Sequence, residues 1–235
     1  PVDVLLLNTC GFIGDAKEES VQAVLEAVER KKAGEVGKVI VFGCLSQRYM
    51  NELPDLIPEV DAWFGAREFD PVIKALGGVP SEAKRVERYL TTPSHYAYLK
   101  ISEGCNNRCA YCAIPYIRGN MRSRTVEDIV AEAKTLDEMG IKELILVAQD
   151  TSAYGFDLYG EYALPRLIRA ITDATEIPWI RLLYCYPDKI TPELVREMAE
   201  NDRVVKYIDI PLQHASDPVL ARMNRHGDCA CIKDA

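Results

Sequence analysis

Short apolar runs alternate with longer amphipathic segments along most of this sequence. The first run, at residues 2–7, is followed by a helical pattern at residues 15–32 and by a second apolar run at residues 38–42. Runs that are apolar at nearly every position are typical of strands buried on both faces of a parallel sheet. Parallel neighbours need a crossover connection, usually a helix, so this alternation predicts an α/β fold.

In the first part of the chain, the alternation predicts a small doubly wound amino-terminal domain over residues 1–78. A third strand is predicted at residues 61–64, with short helices at residues 46–51 and 69–76. A charged segment with Gly and Pro at its ends follows, and it predicts a linker at residues 79–95.

In the second part, a strand is followed by a helix four times, which predicts a partial parallel (β/α) barrel over residues 96–235. The predicted strands are residues 97–101, 143–148, 179–183 and 205–210, and the predicted helices are residues 125–139, 163–175, 191–201 and 217–223. Enzymes with parallel barrels carry their chemistry in the loops after the carboxyl ends of the strands. We therefore expect the loops after these four strands to line one cavity.

The loop after the first barrel strand, residues 101–119, contains three cysteines with the spacing CxxxCxxC. Cys105, Cys109 and Cys112 can each bind a different iron of a cubane iron–sulfur cluster, which leaves one iron open to a small molecule. Structural zinc commonly takes four ligands in two pairs, and no second CxxC follows. A disulfide would leave an odd thiol in a chain without secretory features. The spacing therefore favours a three-thiolate [4Fe–4S] site.

Two further cysteines, Cys10 and Cys44, each follow a predicted parallel strand directly. The carboxyl ends of neighbouring strands lie close together in a doubly wound sheet, so the two thiols can converge. The alternative is that both are buried structural cysteines. The residues alone leave both interpretations open.

Charge and cysteine content bear on partners and compartment. The formal net charge of −8 argues weakly against a general surface for binding polyanions. Eight cysteines without a signal peptide indicate a reducing compartment, and we expect a cytoplasmic protein. No apolar run approaches the length of a membrane span, so we expect no membrane partner.

The segment CNNRCAYC resembles the cysteine motif of the radical S-adenosylmethionine (SAM) enzymes. In that superfamily the open iron binds SAM, and an electron from the cluster cleaves SAM to a 5′-deoxyadenosyl radical. The resemblance implies that Tyr111 lies against the SAM adenine; an ordinary loop aromatic is the alternative. Gln149 and Asp150 are candidates for hydrogen bonds to SAM or substrate, with capping of the next helix as the alternative.

NTCGFI and the later GCLSQRY resemble the amino-terminal domain of methylthiotransferases, which binds a second [4Fe–4S] cluster through three cysteines. Cys10 and Cys44 match two of these ligands. The third would lie upstream of Pro1, so we expect the auxiliary site to be incomplete in this chain. We also expect the chain to be an internal fragment, truncated in its amino-terminal domain and in its barrel.

Within this family, several stretches resemble the branch that methylthiolates the β-carbon of an aspartate in a small-subunit ribosomal protein. They are NTCGFIGDAKEES, KISEGCNNRCAYCAIPYIRGNMRSR, ELILVAQDTSAYG, RLLYCYPD and IDIPLQHASDPVLARMNR. The resemblance implies two [4Fe–4S] clusters and SAM as cofactors. It also implies the ribosomal protein and an electron donor as partners.

Two alternative functions remain open. A tRNA-adenosine methylthiotransferase would share the cysteines, although the acidic balance weighs against a tRNA partner. A non-catalytic iron–sulfur or zinc scaffold is the alternative from another class of protein. Cys229 and Cys231 are assigned no function.

Overall fold

The computed structural model describes residues 2–80 and 88–234, so residues 81–87 of the predicted linker lie outside the described residues. The described chain forms two compact units, the first from residues 2–80 and 116–118 and the second from residues 88–115 and 119–234. The domain boundaries expected at residues 78 and 96 stay a prediction. In the described ranges, no helix combines the length and the apolar character needed to cross a membrane.

The first unit is built on a three-stranded parallel sheet, as the alternating pattern predicts. Its strands are β1 (Val2–Thr9), β2 (Val36–Gly43) and β3 (Ala62–Phe64), and its helices are α1 (Gly14–Lys32), α2 (Cys44–Arg48), α3 (Leu53–Leu56) and α4 (Phe69–Ala75). The strand order is β1-β2-β3, and Thr9 pairs with Gly43. The carboxyl ends of β1 and β2 are therefore level with each other.

Helix α1 covers one face of this sheet with an apolar stripe. Val24 and Val28 are fully buried against the valines of β2. Leu25, the residue next to Val24, is instead 43% exposed. Leu25 follows Val24 directly, and one residue along a helix turns the side chain by about 100°, so it points away from the sheet.

The second unit is built on a four-stranded parallel sheet with the order β4-β7-β8-β9. The strands of this unit are β4 (Tyr96–Lys100), β5 (Ser102–Glu103), β6 (Arg122–Ser123), β7 (Glu143–Val147), β8 (Trp179–Leu182) and β9 (Val204–Ile208). The later helices of the chain are α5 (Ile114–Ile117), α6 (Val126–Glu138), α7 (Phe156–Tyr159), α8 (Leu164–Ala174), α9 (Pro192–Glu200), α10 (Asp217–Arg222) and α11 (Cys229–Asp234). Four parallel strands with intervening helices confirm the predicted fold class.

The core of the second unit forms around β7, where three consecutive residues, 144–146, are buried. Such a run needs cover on both faces of the strand, which agrees with its continuous apolar sequence. Helix α8 contributes Leu167, Ile168 and Ile171 to the same core, all without measurable exposure. Cys185 is also part of this core.

Two of the covering helices begin at threonine caps. The hydroxyl of Thr125 accepts a hydrogen bond from Asp128 N at the start of α6, and Thr191 accepts one from Leu194 N at the start of α9, both at 3.2 Å. Each bond satisfies a backbone N–H that has no partner within the helix. The caps explain why both helices begin where the sequence predicts.

Several short elements were missing from the sequence prediction or were placed a few residues away. Strands β5 and β6 form a two-residue antiparallel pair in which Ser102 faces Ser123 and Glu103 faces Arg122. Helix α2 begins at Cys44 and not at residue 46, so Cys44 is helical and not part of a loop. Elements this short have no repeating pattern of apolar residues that a sequence reading can detect.

Truncation of a core side chain in β7 tests this packing. Leu146→Ala should lower the free energy of unfolding by about 2–5 kcal/mol, because it leaves a cavity in a fully buried site. The control is Val195→Ala in α9, where the side chain is 51% exposed and the expected change is about 0.5 kcal/mol or less. Urea unfolding followed by circular dichroism measures both. Equal losses would mean that β7 is not the centre of the core.

Candidate functional site

The three-cysteine loop, residues 101–119, is closed by backbone contacts at its two ends. Gly104 has a φ of +85°, and a side chain there would place its Cβ 2.6 Å from Gly119 O. Cys105 N donates a hydrogen bond to the same carbonyl at 3.1 Å. Only glycine fits this conformation and this close approach, so Gly104 lets the loop curl back on itself.

The three cysteines differ in burial. Cys105 and Cys109 are buried, while Cys112 is half-buried, and all three are free thiols. Cys112 N donates to Cys109 O at 3.0 Å, which forms a tight turn between the last two cysteines. Two of the three cysteines are therefore shielded from solvent, and the third is partly exposed.

The carboxy-terminal segment holds the middle of the loop. Ala110 N donates to Met223 O, and Asn224 Nδ2 donates to Arg108 O, both at 2.8 Å. Arg108 has a φ of +49°, a conformation that is uncommon for a residue with a side chain. The hydrogen bonds at the Arg108 carbonyl and at Ala110 N hold this conformation and offset its cost.

Cys105 lies beside a network of buried polar groups. Asn107 Nδ2 donates to Cys105 Sγ at 3.3 Å and to Asp150 Oδ2 at 2.7 Å. Burial raises the pKa of the Cys105 thiol, the hydrogen bonds from Asn107 oppose that rise, and the negative charge of Asp150 adds to it. The environment of Cys105 is thus set by residues from two different loops.

Cys109 has an aromatic and a cationic neighbour. Its Sγ lies 3.3 Å from the Tyr186 hydroxyl and 3.8 Å from Arg225 Nη1. The Arg225 guanidinium stacks 3.7 Å from the centre of the Tyr186 ring. Burial and the contact with Cys109 raise the pKa of Tyr186, so this hydroxyl stays protonated at neutral pH. Sequence analysis did not identify either residue.

The donor set, three cysteine thiols on one loop, has the chemistry of iron–sulfur cluster ligands. In residues 2–80 and 88–234, no group of three His, Cys, Asp or Glu side chains is placed to hold one metal ion. In a cubane cluster each thiolate binds a different iron, so the three sulfur atoms do not have to meet at one metal ion. Arg225 Nε, which is buried and has no hydrogen-bond partner in the described part of the chain, adds a cation beside Cys109. Positive charge suits a negatively charged cluster.

The candidate cofactor residues have different surroundings. Tyr111 is 52% exposed, and burial of its other part, together with the nearby Cys109, raises the pKa of its hydroxyl. Gln149 Oε1 accepts a hydrogen bond from Gly104 N at 2.6 Å, so Gln149 ties the end of β7 to the three-cysteine loop. Asp150 is buried and accepts from Ser152 Oγ at 2.8 Å. Contacts with SAM stay a prediction for all three predicted residues.

A cavity of about 260 Å³ opens beside the three-cysteine loop. Its wall includes Asn107, Asp150 and Lys189, together with the aromatic rings of Phe156 and Tyr162. Charged and aromatic groups therefore meet in one place, which is typical of sites for small polar ligands. The residues come from three separate segments of the second unit.

In the first unit, the segments that carry Cys10 and Cys44 lie close together at the ends of β1 and β2. A Cβ on Gly11 would lie 2.7 Å from Cys44 O and 2.8 Å from Leu45 Cα. Cys10 is exposed and Cys44 is half-buried. The close approach follows from the level ends of β1 and β2.

Comparison with protein families assigns both parts of the chain. The model described as "Radical SAM superfamily" matches residues 99–235, and the model described as "Uncharacterized protein family UPF0004" matches residues 1–65. The first match covers more than half of the sequence. The chain belongs to the radical SAM superfamily.

The curated relatives point to a particular kind of radical SAM protein. The chain is 49% identical to the ribosomal protein uS12 methylthiotransferase RimO of Clostridium tetani, over 96% of this chain and 54% of that protein. It is 47% identical to RimO of Thermoanaerobacter sp., over 95% of this chain and 54% of that protein. The chain thus spans about half the length of the curated relatives that it matches.

Two solved structures share the fold. The radical SAM methyltransferase TsrM from Kitasatospora setae superposes with a TM-score of 0.66 at 12% identity, over 97% of this chain and 54% of that one. The cobalamin-dependent SAM radical enzyme OxsB gives a TM-score of 0.66 at 13% identity, over 98% of this chain and 38% of that one. At such low identity the similarity concerns the fold alone.

Addition of a methyl group at Gly11 tests the close approach of the segments that carry Cys10 and Cys44. Gly11→Ala should lower the free energy of unfolding by about 1–3 kcal/mol, because the new Cβ collides with backbone atoms that cannot move independently. Gly14→Ala is the matched control, since a Cβ there meets nothing within 4 Å. Urea unfolding of both variants provides the comparison. An Ala at residue 11 that is tolerated as well as one at residue 14 would contradict the close approach.

Proposed function

We propose that this chain is part of a radical SAM methylthiotransferase that adds a methylthio group to the β-carbon of an aspartate in ribosomal protein uS12. The observation that carries the proposal is a three-cysteine loop at the carboxyl edge of a parallel sheet, in which two thiols are buried and one of them, Cys109, lies beside the buried Arg225 guanidinium. The substrate is proposed from relatives at 47–49% identity, whose names specify uS12.

Cys105, Cys109 and Cys112 are the proposed ligands of the [4Fe–4S] cluster that binds SAM. When bound, this cluster supplies the electron that cleaves SAM. The protein's part is to hold the loop: Gln149 supports Gly104 through a hydrogen bond to its backbone N–H. A rigid loop keeps the three sulfur atoms in place for a cluster.

Tyr111 and Asp150 are proposed to contribute to the cofactor site in different ways. Tyr111 is exposed enough to offer its ring to the adenine of SAM, as expected from its position before Cys112. Asp150 is engaged by Ser152, Asn107 and Lys189, so we assign it the role of organising the wall of the cavity beside the loop. Gln149 is proposed to support the three-cysteine loop through its hydrogen bond with Gly104 N.

Cys10 and Cys44 are proposed as two ligands of the auxiliary [4Fe–4S] cluster. Their convergence at the end of β1 and β2 supports this role. Such a cluster supplies the sulfur chemistry of the reaction, whereas the polypeptide positions the two thiols through the packing of Gly11 on Cys44.

The proposed partners are ribosomal protein uS12 and an electron donor in the cytoplasm. A tRNA substrate is the second candidate, and the net charge of −8 weighs against it.

Incubation of the reconstituted protein with SAM, a reductant and either uS12 or tRNA distinguishes the two candidate substrates. Mass spectrometry should detect an added methylthio group on uS12. Modification of tRNA alone would contradict the assigned substrate.

Replacement of one motif cysteine tests the proposed cluster site. Cys109→Ala should abolish SAM cleavage in anaerobically reconstituted protein, because loss of one thiolate leaves a second iron without a protein ligand. Cys229→Ala is the matched control: it removes a half-buried cysteine of the same unit that lies outside the loop. Release of 5′-deoxyadenosine is measured by chromatography. Undiminished release by Cys109→Ala would refute the site.

A further inference from the structure

Asp150 and Lys189 form a buried ion pair beside the three-cysteine loop. Their Oδ2 and Nζ atoms lie 3.1 Å apart, and the side chains are 2% and 11% exposed. Burial alone would lower the pKa of Lys189, but the charges of Asp150 and Asp188 outweigh it and raise the pKa, so Lys189 carries a positive charge. A buried pair contributes little stability unless its remaining hydrogen-bonding groups are also satisfied, and Asn107 is a partner of both charges.

Asn107 bridges the two charges. Its Oδ1 accepts a hydrogen bond from Lys189 Nζ at 2.9 Å, and its Nδ2 donates to Asp150 Oδ2 at 2.7 Å. A rotated amide would place its NH₂ group against the ammonium and its oxygen against the carboxylate, and both contacts would be repulsive. The ion pair therefore allows only one orientation of the Asn107 amide.

That orientation directs the second N–H of Asn107 toward Cys105 Sγ, at a nitrogen–sulfur distance of 3.3 Å. Asn107 is itself buried, with 4% of its surface exposed, so water does not compete for the donor. Hydrogen bonds to cysteine sulfur are one of the means by which proteins adjust the reduction potential of iron–sulfur clusters. A donor stabilises the more negative, reduced state and so raises the potential.

We propose that Lys189 and Asp150 are positioning residues that hold the Asn107 amide as a hydrogen-bond donor to Cys105, and that this donor raises the reduction potential of the cluster in the three-cysteine loop. The inference rests on the proposed function, because it requires a cluster at Cys105. A purely structural role for the ion pair would affect stability but not the potential.

The test is a redox titration of the reconstituted cluster, followed by electron paramagnetic resonance. All proteins carry Cys10→Ala and Cys44→Ala, so that a second cluster does not contribute to the signal. Asn107→Ala removes the donor, and Lys189→Met removes the charge that orients it. Both variants should titrate at a lower potential than the parent, whereas Lys189→Arg should restore the parent value.

Asn106→Ala is the matched control from the same loop. Asn106 Oδ1 accepts from Met121 N at 3.0 Å, so this variant loses a contact that holds the loop but does not remove the Asn107 donor. It should titrate like the parent. Parent-like potentials in both Asn107→Ala and Lys189→Met, or an equal shift in Asn106→Ala, would overturn the inference.

Two further outcomes separate this inference from the proposed function. If the parent binds no iron in the loop, the proposed function fails, and the inference fails with it. If Asn107→Ala binds no iron while the parent does, the reduction potential of the cluster in Lys189→Met tests the inference. A lower value supports the positioning role, and an unchanged value overturns it.

Discussion

Parallel pairing of the strands is the constraint on which the candidate site depends. In the second unit, β4, β7 and β8 pair in parallel, and all their carboxyl ends lie at one edge of the sheet. The loops that follow carry the three cysteines, the Gln149–Asp150 pair and the turn that contains Tyr186 and Lys189. Residues distant in sequence meet there because the strands share one direction.

The site combines a buried polar network with a curled loop, and each needs the other. Asp150 has four partners from the loops after β4, β7 and β8, so its charge is compensated although it is almost fully buried. Loss of any partner would leave an uncompensated buried group. The same bonds hold Asn107 and thereby the first turn of the three-cysteine loop. Stability and the geometry of the sulfur atoms are therefore coupled.

The elements with strong periodicity were predictable from the sequence, and so was the close approach of the segments that carry Cys10 and Cys44. The apolar runs at β2 and β7 and the caps at Thr125 and Thr191 are local signals that determine local structure. The neighbours of the cysteines were not predictable in this way. Lys189 lies 82 residues from Asn107, and Arg225 lies 116 residues from Cys109. Their contacts follow from loop conformations that have no repeating pattern.

The central claim is that the three-cysteine loop holds a cluster with one iron open to SAM. Electron–nuclear double resonance on the reduced protein, with SAM carrying ¹⁵N at its amino group, tests it most directly. If that nitrogen binds the open iron, a strong hyperfine coupling between the cluster and ¹⁵N should appear. A fully loaded protein that binds SAM without this coupling would contradict the account.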